Sequence, residues 1–346
     1  VNEMAGASGN LAANFASLGA QVSAVGIVGA DEAGIRLSSS LEASGIDTNL
    51  LLVDPQADTV CITRYLTSKS DEEHHYLRVD SGATRAPAPE TIERLRHGIS
   101  HELEAASALF IADYDEFDGF GLMTRELFEN VLEPARRRGV PTFATSRLHP
   151  ERLTGIDYLL CNRAEFGRLG AHLGASEERP SSERFLRGDT TAIAVTRGAE
   201  GATLYTAGEP IEISARKSIE RDPCGAGDSF AAAFTLATTS GLELKLAGEI
   251  ASVAGGLAVE KDRTAPILLS ELVAACTNEP LLPPLDRRNQ GAAQSAQPAS
   301  RAKIRPLDEL TRELDARRLE RKVVMTNGCF DVLQPGHFLF LEKAKS

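Results

Sequence analysis

Asp222-Pro223-Cys224-Gly225-Ala226-Gly227-Asp228, running into Ser229-Phe230-Ala231-Ala232-Ala233-Phe234, decides how the chain is read. Its two glycines let the backbone approach an anion closely, and the alanine-rich run after them has the composition of a helix. The first turn of such a helix carries amides with no intrahelical acceptor, at the positive end of the helix dipole. Gly225, Ala226 and Gly227 are therefore candidate backbone donors to a phosphate. A carboxylate at such a place would repel phosphate unless it has another task. Proton removal is one: Asp228 can take the proton of a hydroxyl that attacks a phosphoryl group. The plainer alternative is a glycine turn with Asp228 as the helix N-cap.

Working outward, Asn162-Arg163-Ala164-Glu165 sits where a strand runs into a helix. Ligands of open α/β sheets collect at the carboxyl ends of strands. Glu165 there can hold Mg²⁺ through water and so bring a cation to nucleotide phosphates. The competing reading is a capping box, with Asn162 as N-cap and Glu165 reaching back. Thr196-Arg197-Gly198-Ala199-Glu200-Gly201 follows an apolar strand. Thr196, Gly198 and Gly201 either frame a nucleotide or simply close a β-hairpin. Gly6-Ala7-Ser8-Gly9-Asn10 opens a helix. Gly6 allows close approach of a substrate and the Asn10 amide can bond sugar hydroxyls, with helix capping as the alternative.

Strand and helix signals alternate around these motifs. Helical spacing marks Asn10–Leu18, Asp31–Ala43, about Pro89–Ala106, Met123–Arg138 and Ala164–Leu173. Strand runs fall at Gln21–Val28, Ala108–Ala112, Pro141–Ala144, Tyr158–Cys161 and Ala192–Thr196. Helices at 229–241, 244–260 and 269–276 follow the Asp228 motif. This rhythm predicts a mostly parallel α/β sheet with helices on both faces. Thr59–Tyr65 and His75–Val79 break it, as two alternating strands that form a protruding flap around residues 59–80. From 277 to 306 the composition turns to Pro, Gln, Ala, Arg and Ser with no apolar period, as in a flexible linker. A short helix at Leu307–Arg321 and a new strand at Lys322–Thr326 then begin a further segment, 307–346.

Composition narrows the class. A net charge of −12 over 346 residues offers no basic stripe for nucleic acid. The five cysteines are scattered without a C-x-x-C pair, so neither a zinc site nor a disulfide framework is indicated. No apolar stretch reaches the ~18 residues of a membrane span, and Val1-Asn2-Glu3 lacks the basic start of a signal peptide. A cytoplasmic protein is expected. Opening on a glycine-rich segment and ending inside an amphipathic pattern, the chain reads as a fragment.

The segment 6–46, the Asn162–Glu165 pattern and Asp222–Asp228 together resemble the ribokinase-like (PfkB) carbohydrate kinases over roughly residues 1–276. The resemblance implies a ribokinase-like fold whose first strand is absent before Val1, with a strand lid around 59–80. It implies ATP and Mg²⁺ as cofactors, Asp228 as catalytic base and the Gly225–Gly227 backbone as anion hole. Asn162 and Glu165 would then assist Mg²⁺ and phosphate, the turn Thr196–Gly201 would lie by the nucleotide, and Gly6 and Asn10 by the sugar. The lid is expected to close over the sugar and to pair between subunits of a homodimer.

Residues 322–346 resemble the start of a Rossmann-like nucleotidyltransferase of the cytidylyltransferase-like superfamily, whose hallmark is H-x-G-H. Gln334 stands in place of the first His, followed by Gly336 and His337. Cut at Ser346, the segment is not expected to transfer nucleotides. The order kinase, linker, nucleotidyltransferase resembles that of the bifunctional heptose-7-phosphate kinase/heptose-1-phosphate adenylyltransferases of ADP-heptose synthesis. Thr145-Ser146-Arg147 departs from the Asp-Pro-Lys of those kinases. The expected activity is phosphorylation of a sugar or sugar phosphate, heptose 7-phosphate first. The alternatives are another sugar or a nucleoside, or a degenerate kinase fold that only binds sugar.

Overall fold

Tyr158–Asn162 and Ala192–Thr196 are continuous apolar runs, the mark of strands covered on both faces. In the computed structural model of the chain they are the seventh and eighth of ten strands among the described residues. Residues 4–69, 72–82, 85–114, 125–172, 186, 190–216, 218, 221–261 and 264–277 are described. The strands are β1 Ser23–Gly29, β2 Asp47–Asp54, β3 Cys61–Lys69, β4 Glu72–Ser81, β5 Leu109–Asp113, β6 Thr142–Ser146, β7 Tyr158–Asn162, β8 Ala192–Thr196, β9 Ala202–Tyr205 and β10 Ile211–Ile213. The helices are α1 Ser8–Ser17, α2 Glu32–Ala43, α3 Pro89–Glu102, α4 Arg125–Arg138, α5 Arg163–His172, α6 Ala226–Thr239, α7 Leu244–Val259 and α8 Leu269–Thr277. Residues 278–346 lie outside the described residues, and with them the expected linker beyond Thr277, the second segment and the Gln334-Gly336-His337 motif.

The main sheet runs β10-β9-β8-β7-β6-β5. Strands β5 to β8 are mutually parallel, and β9 and β10 are added antiparallel. Side chains alternate across it with the period of two that a pleated strand imposes. Leu159, Cys161, Ile193 and Val195 face one core with Leu95 and Ile99 of α3, Phe128 of α4 and Phe166 of α5. Leu160 and Ala194 face the other, with Phe230 and Phe234 of α6 and Ala247, Ala251 and Ala254 of α7. The small residues of α7 recur three and four apart, so the two helices approach closely along one stripe. Helix layers thus cover both faces, as the alternation predicts.

Helix ends follow local chemistry. Asp31 caps α2 by accepting the Gly34 amide at 2.7 Å. Gly139, at φ 66°, ends α4 in a left-handed cap, with Gly139 N donating to Arg136 O and Val140 N to Ala135 O.

The mostly parallel sheet with helices on both faces is as expected, and two smaller sheets accompany it. Among the described residues strand β1 pairs with β2 alone, in parallel, in a separate two-stranded sheet. Among the described residues β5 pairs with β6 alone, and β1 and β5 both line one cleft of about 2460 Å³. Strands β3 and β4 pair antiparallel with each other alone, as expected of the flap. Tyr65 lies opposite Leu77 and Thr63 opposite Val79. Tyr65, Leu77 and Val79 are exposed, an apolar face on the ribbon.

Candidate active site

Asp222-Pro223-Cys224-Gly225 turns the chain into α6. The Asp222 carboxylate accepts the Cys224 amide at 2.9 Å, an Asx turn. Gly225 follows with φ 85°, a left-handed conformation that only glycine adopts without strain. A Cβ there would lie 2.9 Å from Thr264 Cγ2 and 3.2 Å from Asn10 Nδ2. Ser229 N donates to Gly225 O at 3.0 Å and closes the first turn. The amides of Ala226, Gly227 and Asp228 therefore have no intrahelical acceptor. Ala226 N makes one long contact, 3.4 Å, to Pro223 O. Gly227 is exposed, with open space where a Cβ would stand, and lines the cleft.

Asp228 does not cap the helix. Gly225 holds the N-cap position and no side chain caps it. The Asp228 carboxylate instead meets side chains from two other elements. Tyr114, just after β5, donates its hydroxyl to Oδ1 at 2.6 Å. Asn10 of α1 donates Nδ2 to Oδ2 at 2.5 Å. Burial pushes the Asp228 carboxyl above the usual carboxylate range, against the pull of the Tyr114 and Asn10 hydrogen bonds and the Arg147 charge. The Tyr114 phenol is held well above its ordinary value by burial and by the negative Asp228 beside it, so it stays a donor. Asn10, expected beside the sugar, turns its NH₂ onto this carboxylate. Gly6 lines the same cleft, and its carbonyl accepts Gly9 N at 2.8 Å.

At the end of β7 both readings of Asn162 and Glu165 meet in one geometry. Asn162 N donates to Glu165 Oε2 at 2.8 Å, and Glu165 N donates to Asn162 Oδ1 at 2.9 Å. This is a reciprocal capping box. Glu165 also lines the cleft. Burial raises its carboxyl above the ordinary value, opposed by the Asn162 hydrogen bonds and by Arg147 and Arg168.

Thr196 reaches the cleft from the end of β8, its hydroxyl 3.4 Å from Cys161 O. Gly198 and Gly201, at φ 58° and 91°, instead form the β8–β9 connection, with Arg197 N donating to Gly201 O at 2.7 Å. A Cβ at Gly201 would collide with the Ile213 carbonyl. These two glycines are required by the turn and do not line the cleft around Asp228.

Two cleft residues carried no role in the sequence reading, Tyr114 and Arg147. Asp113 pairs with Ser146 in the β5–β6 register, so the residues after them emerge side by side at adjacent strand ends. Ser146 Oγ donates to Asp113 Oδ2 at 2.7 Å and Arg147 N to Asp113 O at 3.0 Å, which ties the two ends together. The signal was their place after two parallel strands. Among the described residues no group of three or more His, Cys, Asp and Glu is placed to hold a metal. No helix among them is long and apolar enough to cross a membrane.

A buried carboxylate at the start of a helix, in one cleft with the ends of parallel strands, marks the candidate site. Residues 1–270 match the pfkB family carbohydrate kinases, and the chain belongs to that family. It is 33% identical over 353 residues to "Bifunctional protein HldE" of Nitrobacter hamburgensis, covering 99% of this chain and 67% of that protein. It is 32% identical over 354 residues to the protein of the same name from Rhodopseudomonas palustris (strain HaA2), covering 98% of this chain and 66% of that one. The chain thus spans about two thirds of the length of the curated relatives it matches. Phosphofructokinase-2 from Escherichia coli, in complex with potassium, shares the fold with a TM-score of 0.64 at 17% identity, over 78% of this chain and 86% of that one. Arabidopsis thaliana ribokinase, complexed with ribose and ATP, does so with 0.61 at 20%, over 77% and 85%.

Proposed function

We propose that this carbohydrate kinase transfers a phosphoryl group from ATP to a sugar hydroxyl in line, with Asp228 as general base. The observation that carries the reading is the Asp228 carboxylate, held by Tyr114 and Asn10 at the start of α6 beside the open Gly227 amide. Free amides, open space at Gly227 and the half-buried Glu165 carboxylate fit a magnesium-bound nucleotide phosphate. ATP with Mg²⁺ supplies the transferred group and neutralises part of its charge. Asp228 accepts the proton of the attacking hydroxyl. The Gly225, Ala226 and Gly227 backbone faces the negative charge that develops on transfer. Asn162 and Glu165 hold Mg²⁺ through water, Thr196 borders the nucleotide, and Gly6 leaves room for the sugar.

The acceptor we infer is heptose 7-phosphate at its anomeric hydroxyl, on the way to ADP-heptose. The motif order along the chain, kinase then nucleotidyltransferase start, supports this, as does similarity to proteins named as bifunctional. Residues 1–276 form the kinase domain, 277–306 a linker and 307–346 the start of the second domain. The apolar face of Tyr65, Leu77 and Val79 supports pairing of two flaps in a homodimer. Among the described residues Cys61, Cys161, Cys224 and Cys276 form no disulfide, which suits a reducing cytoplasm.

ADP release with heptose 7-phosphate, other sugar phosphates, free sugars and nucleosides tests the acceptor. Asp228→Asn should lower turnover by about 10²–10⁴-fold with nucleotide affinity nearly unchanged. Retained turnover sinks the base assignment. The absence of acceptor-dependent ADP release with every compound favours a sugar-binding module.

A further inference from the structure

Both oxygens of the Asp228 carboxylate are held before any substrate arrives. Tyr114 donates to Oδ1 at 2.6 Å from the end of β5, and Asn10 donates to Oδ2 at 2.5 Å from α1. An ionised carboxylate has about four lone-pair sites, so two remain for other donors. Two donors from different elements fix the plane in which those sites lie. Tyr114 itself follows a strand end anchored by Ser146 Oγ on Asp113 and by Arg147 N on the Asp113 carbonyl. We propose that Tyr114 is a positioning residue for phosphoryl transfer: its hydroxyl, with the Asn10 amide, sets the Asp228 carboxylate plane and directs the remaining lone pairs into the cleft. This rests on the reading of Asp228 as general base.

The electrostatics agree with the geometry. Tyr114 keeps its proton, because burial and the Asp228 charge oppose its ionisation. Its hydrogen bond is charge-assisted while Asp228 is ionised and weaker once Asp228 has taken a proton. Tyr114 therefore holds the base in its working form against the burial that favours the neutral acid. Arg147, after β6, acts in the same direction on Asp228. The Glu165 charge also opposes ionisation of Tyr114, while the Arg64 charge favours, and Asp222 opposes, that of Cys224 in the preceding turn. Removing the Tyr114 hydroxyl takes away one stabiliser of the ionised form, so the Asp228 pKa rises.

The test uses the full-length protein with Tyr114→Phe, a change of one hydroxyl. Carbon-13 carboxyl titration of Asp228, assigned with Asp228→Asn, needs no acceptor. Its midpoint is expected to move up by about one pH unit. With the acceptor, the acid limb of kcat moves up by the same amount, kcat falls about tenfold and KM for ATP stays unchanged. Replacing Tyr114 by 3-fluorotyrosine, a stronger donor of nearly the same shape, moves both midpoints down. An Asp228 titration that superimposes on wild type in both replacements overturns the proposal, even where kcat falls. Turnover retained in Asp228→Asn would instead remove the base reading on which it rests.

Discussion

The Ser229 hydroxyl donates to Oδ1 of Asn14 at 2.8 Å, joining the first turn of α6 to α1 across 215 positions of sequence. Both side chains are buried. The same oxygen accepts Ile267 N at 3.3 Å, and Asn14 Nδ2 donates to Asn10 O at 2.9 Å. This buried lock holds α1 one turn away from Asn10 and so sets how Asn10 meets Asp228. Asn14→Ala leaves the Ser229 hydroxyl and the Ile267 amide without that acceptor. The expected loss is about 2–4 kcal/mol in denaturant unfolding, against about 1 kcal/mol for Ser229→Ala.

Gly225 and Gly227 flank one residue and differ in what they tolerate. Gly225→Ala combines a left-handed φ with a Cβ pressed on Thr264 and the Asn10 amide. It should destabilise by about 1–2 kcal/mol and lower kcat, because Asn10 is pushed off the carboxylate. Gly227→Ala meets open space, and its helical position favours alanine. Thermal unfolding should show Gly227→Ala at or above wild type, with loss of nucleotide affinity as the separate mark of a crowded phosphate site. Equal destabilisation of the two variants would contradict the assignment.

Glu165 caps α5 whatever else it does, so the charge must be separated from the cap. Glu165→Gln keeps an oxygen for the Asn162 amide, and the unfolding midpoint should hardly move. A water-mediated Mg²⁺ role depends on the charge. The Mg²⁺ concentration for half-maximal activity should then rise about tenfold. An unchanged Mg²⁺ requirement would leave Glu165 as a cap alone.

Stability and activity respond to pH with opposite signs at Asp228. Its folded-state pKa is raised by burial, so the folded chain holds the proton more tightly than the unfolded one. Stability falls as pH rises from the unfolded to the folded pKa, and above that window the penalty is constant. Activity, which needs the ionised base, rises through the same limb. Asp54 runs the other way. The Ala88 and Gln56 amides hold its carboxyl below the ordinary range, so its stabilisation is full above the unfolded value and lost as pH falls through the folded one. At neutral pH Asp228→Asn should melt higher than wild type and Asp54→Asn lower, both gaps closing on acidification. A lower melting point for Asp228→Asn would count against the sign at Asp228.

The helix and strand rhythm was legible because apolar spacing reports the face that each element buries. Strands β2 and β10 escaped notice. Leu50-Leu51-Leu52-Val53 in β2 is an unbroken apolar run, and β10 has only three residues, so neither shows an alternating period. The turn at Gly198 and Gly201 read equally as a nucleotide frame or a hairpin, since glycine spacing records backbone need and not what occupies the space beside it.

Sequence alone determined the α/β class, the glycine turn into α6 and the carboxylate in it, because glycines, alanines and Asp228 are neighbours whose chemistry is local. It also determined the capping pair at Asn162 and Glu165, three positions apart. Only the tertiary structure decided what Asp228 touches. Tyr114 and Asn10 stand 114 and 218 positions away, and they arrive through the β5–β6 register and the packing of α1 on α6. A hydrogen bond between such distant side chains has no periodic trace in the chain. It exists because the folded backbone brings three strand and helix ends to one cleft, and that convergence turns a carboxylate beside a glycine turn into a held and oriented one.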